Sequence, residues 1–332
     1  AAGDLAAVLP ACKLALLLVL IRTTVVEVAQ LVRCIRIVVW SGAGIAVIAA
    51  LQVLGVGPVL SLLALMTPSE TAAELGQRGS ATLGSSLATG DVIIIALVLL
   101  VACGVRGVLG ARERLIAGLL LGAGVLAAGQ FSTWIAALVA GALLLGRYPQ
   151  VRRRAPRFAP VALAAVVVGA PALVARIEGF WEGFGVPRSW LGRWDNLAEF
   201  YLPRLFDGAG WLLGVSPDPV LPAPETWREV IYLESGYLQL LWIGGIPLLL
   251  TFAWLSVAVL RRARALDRGG DAVGAAGSAL RIVWTLLLVL MVIDPHLFLR
   301  GTGDLLALLL AVASGPLSDR LRPGPPALAS AR

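Results

Sequence analysis

Apolar residues come in long unbroken runs in this chain, separated by short polar stretches. The runs are Leu5 to Ile21, Ile37 to Gly55, Val92 to Val108, Leu115 to Ala128, Trp134 to Leu145, Phe158 to Ala175, Gly236 to Leu260, Ile282 to Ile293 and Leu305 to Ala313. A run of about 18 residues or more is long enough to cross the hydrocarbon core of a bilayer. Inside that core the backbone must satisfy its own hydrogen bonds, so such runs predict helices. A membrane β-barrel would instead show short segments of alternating polarity, and none is visible. The pattern predicts an all-α, polytopic transmembrane helix bundle with about nine spanning segments, forming one membrane domain over residues 1–332. The runs differ in strength: Leu5 to Ile21 is weak, because Lys13 interrupts it.

The polar stretches set the organisation. Arg22 to Arg36 mixes Glu27, Arg33 and Arg36 with apolar residues and reads as a helix or linker at the cytoplasmic surface. Val56 to Asp91 is a mid-length loop, apolar at first and then polar. One segment is much longer than the rest: Arg176 to Ser235 gathers arginines, acids and five tryptophans, and its stretch Trp190 to Phe206 is amphipathic. Short loops with clustered arginine, around Arg106 to Arg114, Arg147 to Arg157 and Arg261 to Arg268, alternate with loops that lack such clusters. Short arginine-rich loops stay on the cytoplasmic side. This places Val56–Asp91, Arg176–Ser235 and Leu299–Gly303 on the far side. The segment 176–235 is then an extracytoplasmic, partly helical loop inserted between transmembrane helices. No internal repeat of the kind that builds secondary transporters is found. The Pro-rich tail RLRPGPPALASAR reads as unstructured.

Composition agrees with this picture: 59% of residues are hydrophobic and the mean hydropathy is +0.89. The formal net charge of +7 reflects cytoplasmic loop arginines and not a nucleic-acid surface. Cys12, Cys34 and Cys103 lie in or beside apolar or cytoplasmic segments, so no disulfide framework is expected. The chain opens AAGD without methionine and is expected to lack an N-terminal part. Leu5 to Ile21 is not read as a cleaved signal, since its arginine follows the apolar run.

Candidate chemistry concentrates on the far-side loops. Three of them carry arginine beside small or polar residues: Arg78-Gly-Ser-Ala-Thr82, Arg188-Ser-Trp-Leu-Gly-Arg193-Trp, and Asp294-Pro-His296-Leu-Phe-Leu-Arg300-Gly-Thr-Gly-Asp304. Arginine suits phosphate oxygens because its charge is permanent and its planar fork donates in pairs. Arg78, Arg188, Arg193 and Arg300 are therefore candidate diphosphate ligands. Taken singly, each also fits an interfacial residue whose stem lies on apolar surface. His296, the single histidine, is a helix-end residue or a site residue. No His or Cys cluster and no Asp-x-Asp motif occurs, so no metal is expected. Trp190, Trp194 and Trp227 fit sugar-stacking residues or a headgroup belt equally. Glu234 stands at the junction of the loop with the next apolar run. An ionisable group at that depth is costly unless it is functional or paired. It fits a general base or a helix-start carboxylate.

At this point the chain resembles the O-antigen ligase and O-antigen polymerase superfamily of bacterial envelope glycosyltransferases, from roughly Ile37 to the last helix. RGSATLGSSLATGD is similar to that family's first outer loop. GQFSTWIAALVAGALLLG looks like a hairpin that usually reads Ser-Arg-(Ser/Gly) before a long apolar run, although Gln130-Phe131-Ser132-Thr133 lacks the arginine. SWLGRWDNLAEFYLPRLFDGAGWLLGVSPDP is similar to the loop in which Ser and Arg precede an aromatic-rich helix and a late Leu-Leu-Gly. That similarity maps the loop arginine onto Arg193. ESGYLQLLWIGGIP follows the post-loop segment. Where ligases open it with His-Asn or His-Ser, Glu234-Ser235 stands here, which is more like the polymerase branch, so no catalytic histidine is carried over.

The resemblance implies a polyprenyl-diphosphate-linked oligosaccharide as donor, at the outer face of the bacterial cytoplasmic membrane. It implies a glycan, lipid or protein acceptor, with membrane lipid as surroundings. It further implies inverting transfer without metal or other cofactor, arginines stabilising the departing diphosphate, and a carboxylate receiving the acceptor proton. A transporter or flippase, or a partner-anchoring membrane protein, are the competing classes. The predicted topology is checked by cysteine labelling of intact cells. A cysteine placed at Asp218 should react from outside without permeabilisation, and reaction only after permeabilisation would invert the topology.

Overall fold

The computed structural model describes residues 2–66, 78–156, 188–222 and 230–319. It is helical almost throughout. The N-terminal part comprises α1 (Ala2–Thr24), α2 (Val28–Val53), α3 (Gly57–Met66), α4 (Ser86–Val105), α5 (Ala111–Ala128), α6 (Phe131–Arg147) and α7 (Pro149–Pro156). The loop segment holds α8 (Arg188–Asn196), a π turn over Leu197–Tyr201, α9 (Leu202–Phe206), α10 (Gly210–Leu213) and a two-stranded antiparallel ribbon. The ribbon pairs β1 (Leu221–Pro222) with β2 (Val230–Ile231), Leu221 opposite Ile231. The C-terminal part is α11 (Gly236–Leu266), α12 (Ala272–Leu290), α13 (Thr302–Ser314) and α14 (Pro316–Asp319).

Among the described residues four helices are long and apolar enough to cross a membrane: α2, α4, α11 and α12. A fifth span results if α6 and α7, bent by 117° at their junction, are taken as one. The expected count of about nine is therefore met only in part. One reason is length. With a rise of about 1.5 Å per residue, the 13 residues of α13 cover about 20 Å, short of a hydrocarbon core of about 30 Å. The expected span Phe158 to Ala175 lies outside the described residues. Two boundaries also move. Arg33 and Arg36 belong to the first turns of α2 and not to a separate surface helix, and α12 starts ten residues before the expected Ile282, capped by Asp271, whose Oδ1 accepts from Val273 N (3.0 Å) and Gly274 N (3.1 Å).

The centre of the bundle is α4 and α12, each 78% buried over its most apolar window, against 33% for α2 and 22% for α11. Close approach of α5 to α2 depends on small residues. A Cβ at Gly124 would overlap Ala46, the small-against-small packing that apolar surroundings favour between helices. At the arginine-rich end, four elements meet on one carboxylate. Asp267, 4% exposed at the end of α11, receives Arg106 Nη2 (2.9 Å), Arg147 Nη2 (2.8 Å) and Arg281 Nη1 (3.5 Å). Burial alone would raise its pKa, but hydrogen bonds from Arg147, Ser278 and Arg106 prevail and hold it below the usual carboxylate value. Two arginines expected simply as loop charges, Arg106 and Arg147, thus also tie helix ends together.

What positions the loop is a break in α11. Gly244 (φ −145°) and Gly245 (φ +62°) leave helical geometry, and Pro247 follows. The break frees Trp242 O from the helix ladder, and Pro247 has no N–H for Ile243 O. A buried carbonyl must find another donor. The loop supplies it: Val215 N and Ser216 N donate to Trp242 O at 2.7 and 3.3 Å. Trp242 Nε1 donates in turn to Asp218 O at 3.1 Å. The backbone contact is close enough that a Cβ on Gly245 would overlap Leu212 O. Gly245→Ala should therefore loosen the loop. A side chain held at φ above zero costs about 1–3 kcal/mol before any clash is counted. Thermal unfolding in detergent and faster proteolysis near residues 206–218 are the measurements, and an unchanged digestion rate would refute this docking.

Candidate functional site

The site forms where the loop meets the ends of α11 and α12. Tyr201 sits on the loop's π turn, 1% exposed, with its ring edge-on to Trp242 at 5.1 Å between centroids. Its hydroxyl donates to Pro219 O (2.8 Å) and Ile231 O (2.9 Å). Burial pushes its pKa up, so the hydroxyl remains a donor. With Leu205, Leu221, Ile231, Leu233 and Trp242, Tyr201 builds a small apolar core separate from that of the bundle.

Above this core lies a cavity of about 310 Å³. One part of its wall is apolar: Leu197, Leu233, Leu238, Val292 and Ile293. Trp194, Tyr201 and Tyr232 add aromatic surface. The polar part is Arg193, Asn196, Glu234 and Ser235. Pockets that bind small molecules commonly pair an apolar wall with a few convergent polar groups.

Arg193 is the hub. It lies in the last turn of α8, and its side chain is 29% exposed. Its Nε pairs with Glu234 Oε2, its Nη2 lies 3.0 Å from Asp294 Oδ1, and its Nη1 donates to Ile293 O at 3.4 Å. One guanidinium thus joins the loop, the start of α11 and the turn after α12. Glu234 is 35% exposed and Asp294 8%. Burial raises the Asp294 carboxyl above its ordinary pKa, while Arg193 and His296 oppose the shift.

Behind Asp294, on the same turn, His296 is 1% exposed. Its Nδ1 is 2.9 Å from both oxygens of Asp91 on α4, and Thr302 Oγ1 donates to Asp91 Oδ2 at 2.9 Å. Burial lowers the His296 pKa, but Asp91 and Asp294 outweigh it, and the net shift is upward.

The structure unites some expected residues and leaves others apart. Arg193 and Glu234 meet, and Trp194, 63% exposed, lines the same cavity. His296 lies behind Asp294 on the same turn and does not line the cavity. Arg78 instead stands beside Gly129 at the end of α5, its Cγ 3.9 Å from where a Cβ there would be. Arg300 is exposed before α13 and makes no ion pair among the described residues. Neither lines the cavity. The expectations for Arg188 and Trp190 fall on side chains outside the described residues, as does that for Trp227. Asp91 was missed, although a carboxylate one turn into the apolar run SLATGDVIIIALVLL is the signal that marks a functional or paired group. Asp294 sat unremarked in the DPH segment. Among the described residues no group of three or more His, Cys, Asp or Glu side chains is arranged to hold a metal ion.

No protein-family model, curated protein or solved structure matches the chain. The site's own support is open to test. Tyr201→Phe removes the donor of two loop carbonyls, and leaving such groups buried and unpaired costs about 1–3 kcal/mol. The variant should show a lower midpoint of thermal unfolding than the wild type, and an unchanged midpoint would place the hydroxyl outside the loop's support.

Proposed function

We propose that this protein is a membrane glycosyltransferase of the bacterial cytoplasmic membrane. It would take a polyprenyl-diphosphate-linked glycan as donor and polymerise or ligate cell-surface polysaccharide, with the long loop extracytoplasmic. The observation that carries the reading is the pairing of Arg193 with Glu234 at the polar end of an otherwise apolar cavity. A lipid-linked diphosphate needs both surfaces together: apolar wall for the first isoprene units, and a cation with a nearby base for the head. The sequence resemblance to O-antigen polymerases and ligases points the same way, with Glu234-Ser235 nearer the polymerase pattern.

In this reading the acceptor hydroxyl oxygen attacks the anomeric carbon of the donor. The bond from that carbon to the diphosphate oxygen breaks, and the configuration inverts. Glu234 takes the hydroxyl proton as the new bond forms. The negative charge that grows on the departing diphosphate is met by Arg193, a fixed cation in a site partly shielded from water. Arg193 is already held by two carboxylates, so a bound diphosphate exchanges for Glu234. That exchange frees the base at the moment the donor arrives. No step calls on a metal or other cofactor.

A second reading, movement of a lipid-linked or small substrate, draws on two observations. α11 is broken at Gly244 and Gly245, and the ionisable pair Asp91–His296 is buried between helices. Both features recur where substrates cross membranes. Reconstitution with a lipid-linked oligosaccharide separates the two. Laddered or transferred products appear under the enzyme reading, and translocation without product appears under the other.

Glu234→Gln should lower turnover by roughly 10²–10⁴-fold, the usual contribution of a positioned base, while donor binding is kept or tightened because the amide no longer competes for Arg193. Arg193→Lys keeps the charge, loses the paired donors and should already impair transfer. Wild-type rates in both variants would end the proposal.

A further inference from the structure

The turn that follows α12 has two arms. Asp294 points to the loop and holds Arg193 Nη2 at 3.0 Å. His296 points into the bundle and holds Asp91 of α4 at 2.9 Å. The turn is tight, with His296 N donating to Asp294 O at 2.9 Å. A contact deep in the bundle is therefore two residues away from the contact that fastens the loop over the cavity. The imidazole Nε2 is buried and has no hydrogen-bond partner among the described residues.

Among the described residues the cluster carries more negative than positive charge. Asp91, Asp294 and Glu234 supply three carboxylates, and Arg193 one guanidinium. A protonated His296 adds a second positive charge to it. We propose that the Asp91–His296 pair is a proton-binding site whose occupancy sets how firmly Asp294 and Glu234 hold Arg193, and with it the loop. This does not rest on glycosyl transfer. It holds for any ligand of the cavity.

The direction follows from the groups that face His296. Asp91 comes from α4, Asp294 from its own turn, Arg193 from α8, and Glu234 reaches the cluster through Arg193 from the start of α11. α13 contributes uncharged Thr302 and, further along, Asp304, which pairs with Lys13 of α1 at 2.7 Å. A proton on His296 adds a charge that repels Arg193. A proton on Asp294 removes one that attracts it. Both weaken the grip, so the loop loosens as pH falls through the His296 pKa, which lies above the ordinary histidine value of about 6.5. Coupling is reciprocal: if protonation loosens Arg193, then removing Arg193 must favour protonation.

The protein has one histidine, so ¹⁵N-histidine labelling gives a single imidazole whose titration is read by NMR without assignment. In the wild type it should titrate between pH 5.5 and 9, with a midpoint above that of free histidine. Arg193→Gln should move the midpoint up and Asp294→Asn should move it down. Hydrogen exchange of residues 192–206 supplies the other half. Protection should fall by roughly fivefold from pH 8 to 6, the lower end of ordinary coupling between two sites. In His296→Gln that step should vanish, leaving only loss at more acid pH as carboxylates protonate. An imidazole signal that stays flat over this range, a midpoint unmoved by Arg193→Gln, or a protection step that survives in His296→Gln would each overturn the proposal. The first two need no bundle variant, so misfolding of His296→Gln leaves the test intact.

Discussion

In an apolar medium a helix that breaks must have its freed carbonyls satisfied from elsewhere, and α11 breaks at Gly244 and Gly245. The loop between α10 and β1 brings its N–H groups to Trp242 O, and the indole of Trp242 returns a hydrogen bond to Asp218 O. This exchange fastens the cover to the bundle. The rest of the site depends on it. Tyr201 packs on Trp242, the ribbon closes over Tyr201, and Arg193 is carried to Glu234 and Asp294. Without the break, Trp242 O would be taken up within the ladder of α11 and would not be open to Val215 N and Ser216 N.

Charge is handled oppositely at two places in the bundle. At the arginine-rich end one carboxylate, Asp267, is shared by three arginines, and the hydrogen bonds outweigh its burial. Such a cluster clamps helix ends and has no reason to exchange a proton near neutral pH. At the other end carboxylates outnumber arginines around Arg193 among the described residues, and burial raises the carboxyl pKa of Asp294. Buried ion pairs return their desolvation cost only when geometry and counter-charge are complete. Asp267 meets that condition. The Arg193 cluster, among the described residues, keeps an excess of carboxylate, and this is where protonation is proposed to bear on loop position.

That cluster also bears on the cavity. Arg193 is the cation nearest the apolar wall, yet it is already engaged by two carboxylates. An anionic head must compete with Glu234 for it. Such a competition would favour ligands with several acceptor oxygens over those with one.

Much of the fold was legible along the chain. Long apolar runs dictate helices because backbone groups must pair within the segment, and α2, α4, α11 and α12 fall where such runs lie. Glu234 was legible as a candidate because a charge beside an apolar run is costly without a purpose, and Arg193 because an arginine beside small and polar residues suits phosphate oxygens. Partner choice was not legible. Asp91 and His296 are 205 residues apart, and Arg193 and Ile293 are 100 apart, so no local pattern relates them. Nor did the arginine tally separate Arg106 and Arg147, committed to Asp267, from residues left to solvent. The sequence by itself determined which segments are apolar helix and which carry charge, since both follow from composition over one or two turns. Only the tertiary structure decided that Arg193 meets Glu234 and Asp294 while Arg78 and Arg300 stand elsewhere. The meeting of side chains from distant segments depends on how whole helices pack, and the break in α11 sets that packing for the loop.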